Sequence, residues 1–324
     1  MLVKLDAIKY ALDGPINSSG GPEHIEQALR GTSVAAANYS FASDDGTQIV
    51  YHVCGSGPVL IVATAPGWGV GINYLPNALK PLVDSGKFTL LAIQPRGSLP
   101  SERPADDSRM SSKHMAADID VLRRHLGHAA INVLGHSNGA AIALAYAEMF
   151  PSHCAKALLI ETQVIGFRGP GIGPELEKRK EDPRYAEAVK AFMEDMRKTF
   201  TTDEEITKHI QRIITLYFFD PESGVAEFAR NTGPLNVQLW ASTRQDEADE
   251  MPESNLFDNL DAVTADTLLI SGSDDFICTV AASRAAQKGI GSRAKHVVYQ
   301  DCGHMPWIES EEAFFRDVKE FLLQ

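Results

Sequence analysis

The chain has 324 residues, 44% hydrophobic and 23% charged, with a formal net charge of −13. That apolar content can fill a large core and excludes a disordered or fibrous chain, while the acidic balance, with no block of clustered Lys or Arg, argues against nucleic acid or anionic lipid as a partner. The four cysteines (Cys54, Cys154, Cys278 and Cys302) are scattered without CxxC pairing, so reduced thiols and a cytoplasmic location are expected.

The N-terminus, "MLVKLDAIKYALDGPINSSGG", carries a charge every few residues and has no uninterrupted apolar stretch, so neither export nor a membrane partner is expected. Residues 1–39 show little periodicity beyond a short helix near 23–30 and are expected to form an extension that packs on the core or frays. "TQIVYHV" (47–53) alternates like a half-buried strand, and "PVLIVAT" (58–64) is a continuous apolar run like a strand buried on both faces. A helical stretch near 72–85 separates it from another such run, "FTLLAI" (88–93). The loop "QPRGSLPSERPADDS" ends near two N-cap candidates, Ser111 and Ser112, for a helix with Met115, Ile119, Leu122 and Leu126 on one face. "AINVLG" is the next strand, and "NGAAIALAYAEMF" is apolar on nearly all sides, as a helix lying on a sheet and covered beyond it would be.

"AKALLIE" (155–161) is a further buried strand, after which the alternation stops. From about 163 to 255 two amphipathic helices stand out. One carries Tyr185, Ala188, Val189, Phe192, Met193 and Met196; the other starts at the capping box "TDEE" (202–205) and carries Ile206, Ile210, Ile213, Ile214 and Tyr217. Strand character resumes in "DTLLISG" (266–272) and "KHVVYQ" (295–300), with helices near 280–288 and at the C-terminus, where Phe314, Val318, Phe321 and Leu322 share a face. The pattern predicts an α/β fold with a mostly parallel sheet covered on both sides. Its core would comprise residues 40–162 and 256–324, interrupted by a helical cap at 163–255.

"GHSNG" (135–139) follows a strand and opens a helix, the context in which G-x-S-x-G forms a nucleophile elbow. The sharp turn leaves no room for bulk at Gly135 or Gly139 and presents Ser137 at a helix N-terminus. A serine nucleophile needs a base held by a third group. His304, in "QDCGHMPWIES" between the last strand and the last helix, fits the base; His136 should point away from its neighbour and is assigned to packing. The acid should follow a strand lying between them, and "LLISGSDDFICT" offers Asp274 and Asp275, with Glu161 a further candidate.

The order Ser, Asp, His resembles that of the α/β-hydrolase superfamily. The resemblance covers most of the chain from about residue 40 and implies an α/β-hydrolase fold of the eight-stranded type with an inserted helical cap. In that family the acid stands three residues after the glycine ending its strand, which selects Asp275. The resemblance also implies an oxyanion hole made by the backbone N–H of Asn138 and one from Pro66-Gly67-Trp68-Gly69, assigned to Trp68; Pro66 departs from the family's usual histidine. "QPRGSLPSERP" and "DCGHMPWIESEEAF" are similar to the corresponding loops of proline iminopeptidase-like serine hydrolases, whose cap acids hold a substrate amino group; Glu247 and Glu250 are the candidates here.

The expected activity is a serine hydrolase acting on an ester, lactone or thioester of a bulky, largely apolar small molecule, with Phe192, Met193, Tyr217, Phe218, Phe219 and Trp240 as candidate lining. An aminopeptidase is the alternative, and a non-catalytic binding protein on the same fold is the alternative of another class. The absence of a Walker loop, of G-x-G-x-x-G after a first strand and of HExxH implies no nucleotide cofactor and no metal. The expected partners are a small-molecule substrate and at most a second copy of the chain in a homodimer.

Overall fold

The computed structural model describes residues 14–232 and 235–324; the first thirteen residues of the expected N-terminal extension lie outside the described residues. The first half of the chain forms β1 (Ile16–Asn17), α1 (Gly21–Leu29), β2 (Ala37–Ala42), β3 (Gln48–Gly55), β4 (Val59–Thr64), α2 (Tyr74–Ala78), α3 (Lys80–Val83), β5 (Phe88–Ile93), α4 (Ser112–His125), β6 (Ile131–His136), α5 (Asn138–Met149) and β7 (Cys154–Ile160). Five helices follow: α6 (Gly173–Arg179), α7 (Ala186–Asp195), α8 (Asp203–Ile213), α9 (Pro221–Thr232) and α10 (Leu239–Asp249). The chain then forms β8 (Asp266–Gly272), α11 (Val280–Ile290), β9 (Ala294–Tyr299), α12 (Pro306–Glu309) and α13 (Glu311–Leu323).

The strands make one sheet in the order β1-β2-β3-β5-β4-β6-β7-β8-β9. The β2–β3 and β3–β5 pairs are antiparallel and all other pairs are parallel. Apolar side chains from the two faces of the sheet form two core clusters. One takes Met115, Ile119 and Leu122 of α4, the alanine-rich α5, and Ala282 and Ala286 of α11; the other takes Leu75, Leu79, Phe314 and Val318. The continuous apolar strands β4 and β5 are covered on both sides, as parallel strands flanked by crossover helices must be.

The sheet has nine strands among the described residues, not eight. β2 has no continuous apolar pattern because a polar residue interrupts it: Asn38 is buried, and its Oδ1 meets Nδ1 of His52 across the β2–β3 ladder at 2.8 Å. β3, expected to be half-buried, is buried from Ile49 to Val53 because α1 closes its other face with Ile25 and Ala28. Gly21 is what lets α1 approach, since a Cβ there would lie 2.0 Å from the Tyr51 hydroxyl.

Ser111 is the N-cap of α4, its hydroxyl accepting from the His114 N–H. Thr202 caps α8 through the Glu205 N–H at 3.1 Å, while the Glu205 carboxylate reaches back one residue further than a capping box requires, to the Thr201 N–H at 2.7 Å. The Ile206–Tyr217 face tightens into a 3-10 turn from Ile214 to Tyr217, which turns Tyr217 toward the sheet's C-terminal edge.

Glu148, near the end of α5, is buried and its Oε1 has no partner. Burial pushes its carboxyl up to about 8, with Lys113 pulling it down and Asp261 raising it. A folded-state value above the unfolded one means that this group's stability contribution is complete below about 4.5 and is lost as pH rises toward 8. Glu148→Gln should therefore melt above wild type at pH 8, and the gap should close on acidification by at most about 1.4 kcal/mol per pH unit. Calorimetry between those limits checks the sign.

Candidate active site

Ser137 stands alone between the last residue of β6 and the first of α5, at φ 59° and ψ −125°. A non-glycine residue holds such a conformation only where its surroundings impose it. Two glycines permit the turn: a Cβ on Gly135 would lie 2.1 Å from the Gly139 carbonyl oxygen, and one on Gly139 would lie 2.2 Å from the carbonyl oxygen of Thr64 in β4. Asn138 opens α5, so its N–H has no carbonyl of its own helix to bond. Its side chain, for which no local pattern predicts a role, accepts from the Gly67 N–H at 3.2 Å and donates to Gln163 Oε1 at 3.0 Å, tying the elbow to the loop after β4.

That loop, Pro66–Gly69, is held by its other groups as well. Gly67 O accepts from the Ser98 hydroxyl at 2.8 Å and Trp68 O from the Gln238 N–H at 2.8 Å. The Gln238 side chain accepts from the Leu99 N–H at 3.0 Å, bracing the same turn. A Cβ at Gly67 would lie 2.3 Å from Gln245 Oε1, so a side chain there would displace the Gln245 amide. Gln238, just before α10, thus latches the helical block between β7 and β8 onto the Trp68 peptide. Gln238→Ala keeps the backbone N–H on Trp68 O and removes only the side chain, with its bond to the Leu99 N–H, so it is expected to lower kcat by no more than about threefold with little change in fold; steady-state kinetics with circular dichroism checks both halves.

His304 lies after β9, with its N–H on the Tyr217 carbonyl at 2.7 Å and its Nδ1 2.5 Å from Asp275 Oδ2. Asp275 is fixed in turn, because its Oδ1 accepts the N–H groups of Ile277 at 2.9 Å and Cys278 at 3.1 Å. Burial pushes the Asp275 carboxyl up, but the charge and hydrogen bond of His304, helped by Glu161 and the Ile277 N–H, hold it below the usual carboxylate range. Asp274 faces away from His304: its carboxylate accepts from the Ser273 hydroxyl at 2.6 Å and its carbonyl from Arg179.

His136 is buried behind His304, the ring centroids 4.6 Å apart. Its Nε2 lies 2.9 Å from the His304 carbonyl oxygen, so Nε2 carries the proton and Nδ1 accepts from the Tyr74 hydroxyl at 3.0 Å. Burial, and then the His304 charge, push its pKa well below the ordinary imidazole value, so it stays neutral and braces the His304 backbone. The Cys278 thiol sits against the Ser137 hydroxyl; burial, followed by the Asp275 charge, pushes its pKa well above the usual range, so it remains a poor nucleophile. Donor atoms of Asp275, Cys278 and His304 lie within 4.8 Å of one another, but the first and last are bonded to each other and the thiol is protonated, an arrangement for hydrogen bonding more than for a metal.

Ser137 and His304 line a cavity of about 40 Å³ whose walls include Trp68, Val70, Ile210, Ile214, Phe228 and Val237. Of the lining residues expected from the sequence, Tyr217 is the one in this wall. Phe192 packs on Phe276, Phe218 is enclosed against Phe228, Phe219 takes the Arg184 guanidinium and Trp240 stacks under Arg103. Met193 is 56% exposed. Glu247 pairs with Arg244 at 2.5 Å, and Glu250 lines a separate open cleft of about 760 Å³ with Asp246 and Asp258. Aromatic content marks a residue for burial without saying which cavity it faces; the Ile210 and Ile214 face was visible as an amphipathic stripe, and only the fold turns it toward Ser137.

Residues 57–311 match the family model described as alpha/beta hydrolase fold. The chain belongs to this family. It is 24% identical over 298 residues to the AB hydrolase superfamily protein YclE of Bacillus subtilis, covering 86% of this chain and 97% of that protein. It is 24% identical over 287 residues to the proline iminopeptidase PfmaB of Pestalotiopsis fici, covering 87% and 98% of the two chains. Among solved structures, the esterase EaEST from Exiguobacterium antarcticum superposes with a TM-score of 0.65 at 20% identity, over 88% of this chain and 99% of the other. The α/β-hydrolase fold thus holds for most of the chain, with Ser137 at the strand-to-helix turn and His304 and Asp275 on loops at the same edge of the sheet.

Proposed function

We propose that this α/β hydrolase is a serine hydrolase of esters, lactones or thioesters, in which Ser137, His304 and Asp275 form a catalytic triad. Ser137 Oγ attacks the acyl carbon as His304 takes its proton; the oxyanion meets the backbone N–H groups of Asn138 and Trp68; His304 then protonates the leaving group, and water releases the acyl group by the reverse roles. The observation that carries the reading is the joint placement of Ser137, in its forced backbone conformation, and of His304, hydrogen-bonded to Asp275, on one cavity.

The cavity supports an apolar group and a small one. Its volume of about 40 Å³ is far below the several hundred Å³ typical of pockets for drug-sized ligands. A bulky substrate, the expectation from the apolar cap residues, enters only if α8 and the segment around Leu235 and Val237 move outward. The residues lining the cavity include no carboxylate to hold a substrate amine, which favours ester over aminopeptidase chemistry.

A panel of aryl esters of increasing acyl length, run beside prolyl and other aminoacyl arylamides, tests this. The expected result is ester turnover favouring short acyl chains. Faster cleavage of the aminoacyl arylamides would overturn it in favour of an iminopeptidase.

A further inference from the structure

Two carboxyl groups meet beneath the triad with no cation between them. Glu161 follows β7 at φ +45°, fully buried, with its N–H on the Ile270 carbonyl at 2.9 Å. Its Oε1 accepts the Gly272 N–H at 2.5 Å, while Oε2 is buried and receives no hydrogen bond. Asp275 already accepts two backbone N–H groups and His304, and the Glu161 carboxyl lies close enough to share a proton with it. Two carboxylates cannot hydrogen-bond unless one carries a proton, and an oxygen that nothing donates to is what a carboxylic acid's hydroxyl oxygen looks like when it is the donor.

Burial above all, then the Asp275 charge, pushes Glu161 well above the usual carboxyl range, whereas His304 holds Asp275 below it. The other titratable groups facing Glu161 are the Cys278 and Cys302 thiols and the Glu309 carboxyl, none of them cationic.

We propose that Glu161 is a positioning residue in its carboxylic-acid form, donating its O–H to Asp275 and so fixing that carboxylate with Oδ2 turned to His304 Nδ1–H. The proposal rests on the triad reading above. A neutral donor fixes Asp275 without a second negative charge, which would stabilise the His304 imidazolium and leave less free base near neutral pH.

Glu161→Gln keeps an acceptor for Gly272 and an N–H donor for Asp275. The expected result is a kcat/KM within about threefold of wild type and an unmoved acid limb in its pH profile, while Glu161→Leu loses at least roughly tenfold in kcat with little change in KM. If Glu161 is ionised, Glu161→Gln removes a negative charge and moves the acid limb down by about one pH unit or more; that result overturns the proposal. Should the variants not fold, carboxyl ¹³C spectra of glutamate-labelled wild type at a pH above the Glu148 titration must still show a protonated glutamate, and finding none overturns it equally. Wild type that a fluorophosphonate fails to label at Ser137 sinks the triad reading instead. Labelled wild type with a downward-shifted Glu161→Gln profile sinks only the Glu161 assignment.

Discussion

Asp275→Asn is expected to lower kcat for an ester substrate by about 10⁴-fold with the fold intact. The size of the effect follows from how Asp275 is held. Its Oδ1 is committed to the N–H groups of Ile277 and Cys278, so an asparagine keeps its carbonyl oxygen there and must turn its NH₂ toward His304. His304 Nδ1 then becomes an acceptor, and the ring proton moves to Nε2, the atom required to receive the Ser137 proton. The base is lost through the wrong tautomer while every backbone contact of the turn survives. Circular dichroism and steady-state kinetics on one preparation separate the two effects; a loss under tenfold removes Asp275 from the orienting role.

Arg96→Met is expected to produce the largest loss of stability. Arg96, almost wholly buried, gives its Nε to Asp118 at 2.7 Å and its Nη2 to the same carboxylate at 2.6 Å, and reaches Asp45 at 2.7 Å through Nη1. Removing the cation leaves the buried Asp118 carboxylate without its ion pair and Asp45 with only Arg109 at 3.4 Å, a cost of about 3–5 kcal/mol and on the order of 10 °C in Tm for a chain of this size. Arg96→Met/Asp118→Leu should recover part of that loss, because no unpaired buried carboxylate then remains and Asp45 keeps Arg109. The network also reaches the site: Arg96 anchors the turn that carries Ser98, whose hydroxyl holds the Gly67 carbonyl beside the candidate oxyanion donors. Denaturant unfolding of the single and double variants tests the account, and an unchanged midpoint in Arg96→Met contradicts it.

The parts of the fold legible in the sequence are those where one physical signal dominates. β4, β5, β7 and β8 are continuous apolar runs between turn residues, and α4 and α8 carry both a stripe and a cap. β2 was invisible because its stability includes a buried Asn38–His52 hydrogen bond, which reads as polar interruption along the chain. Ser137 and His304 of the candidate triad were legible from chain order and strand-to-loop placement, whereas the choice of Asp275 over Asp274 came only from the resemblance to the α/β-hydrolase family. What surrounds the triad was not legible: the Asn138 amide on Gly67, the Gln238 latch and the Glu161 carboxyl beside Asp275 join residues between 71 and 170 positions apart, and no local pattern announces such a pair.

The most direct test of the central claim is mass spectrometry after treatment with a fluorophosphonate, which reacts irreversibly only with a serine activated by its base. A single adduct on the peptide containing Ser137, absent in Ser137→Ala and lost in His304→Ala but retained in His136→Ala, is the predicted result. Folded wild type that takes up no probe, or that carries the adduct elsewhere, contradicts it.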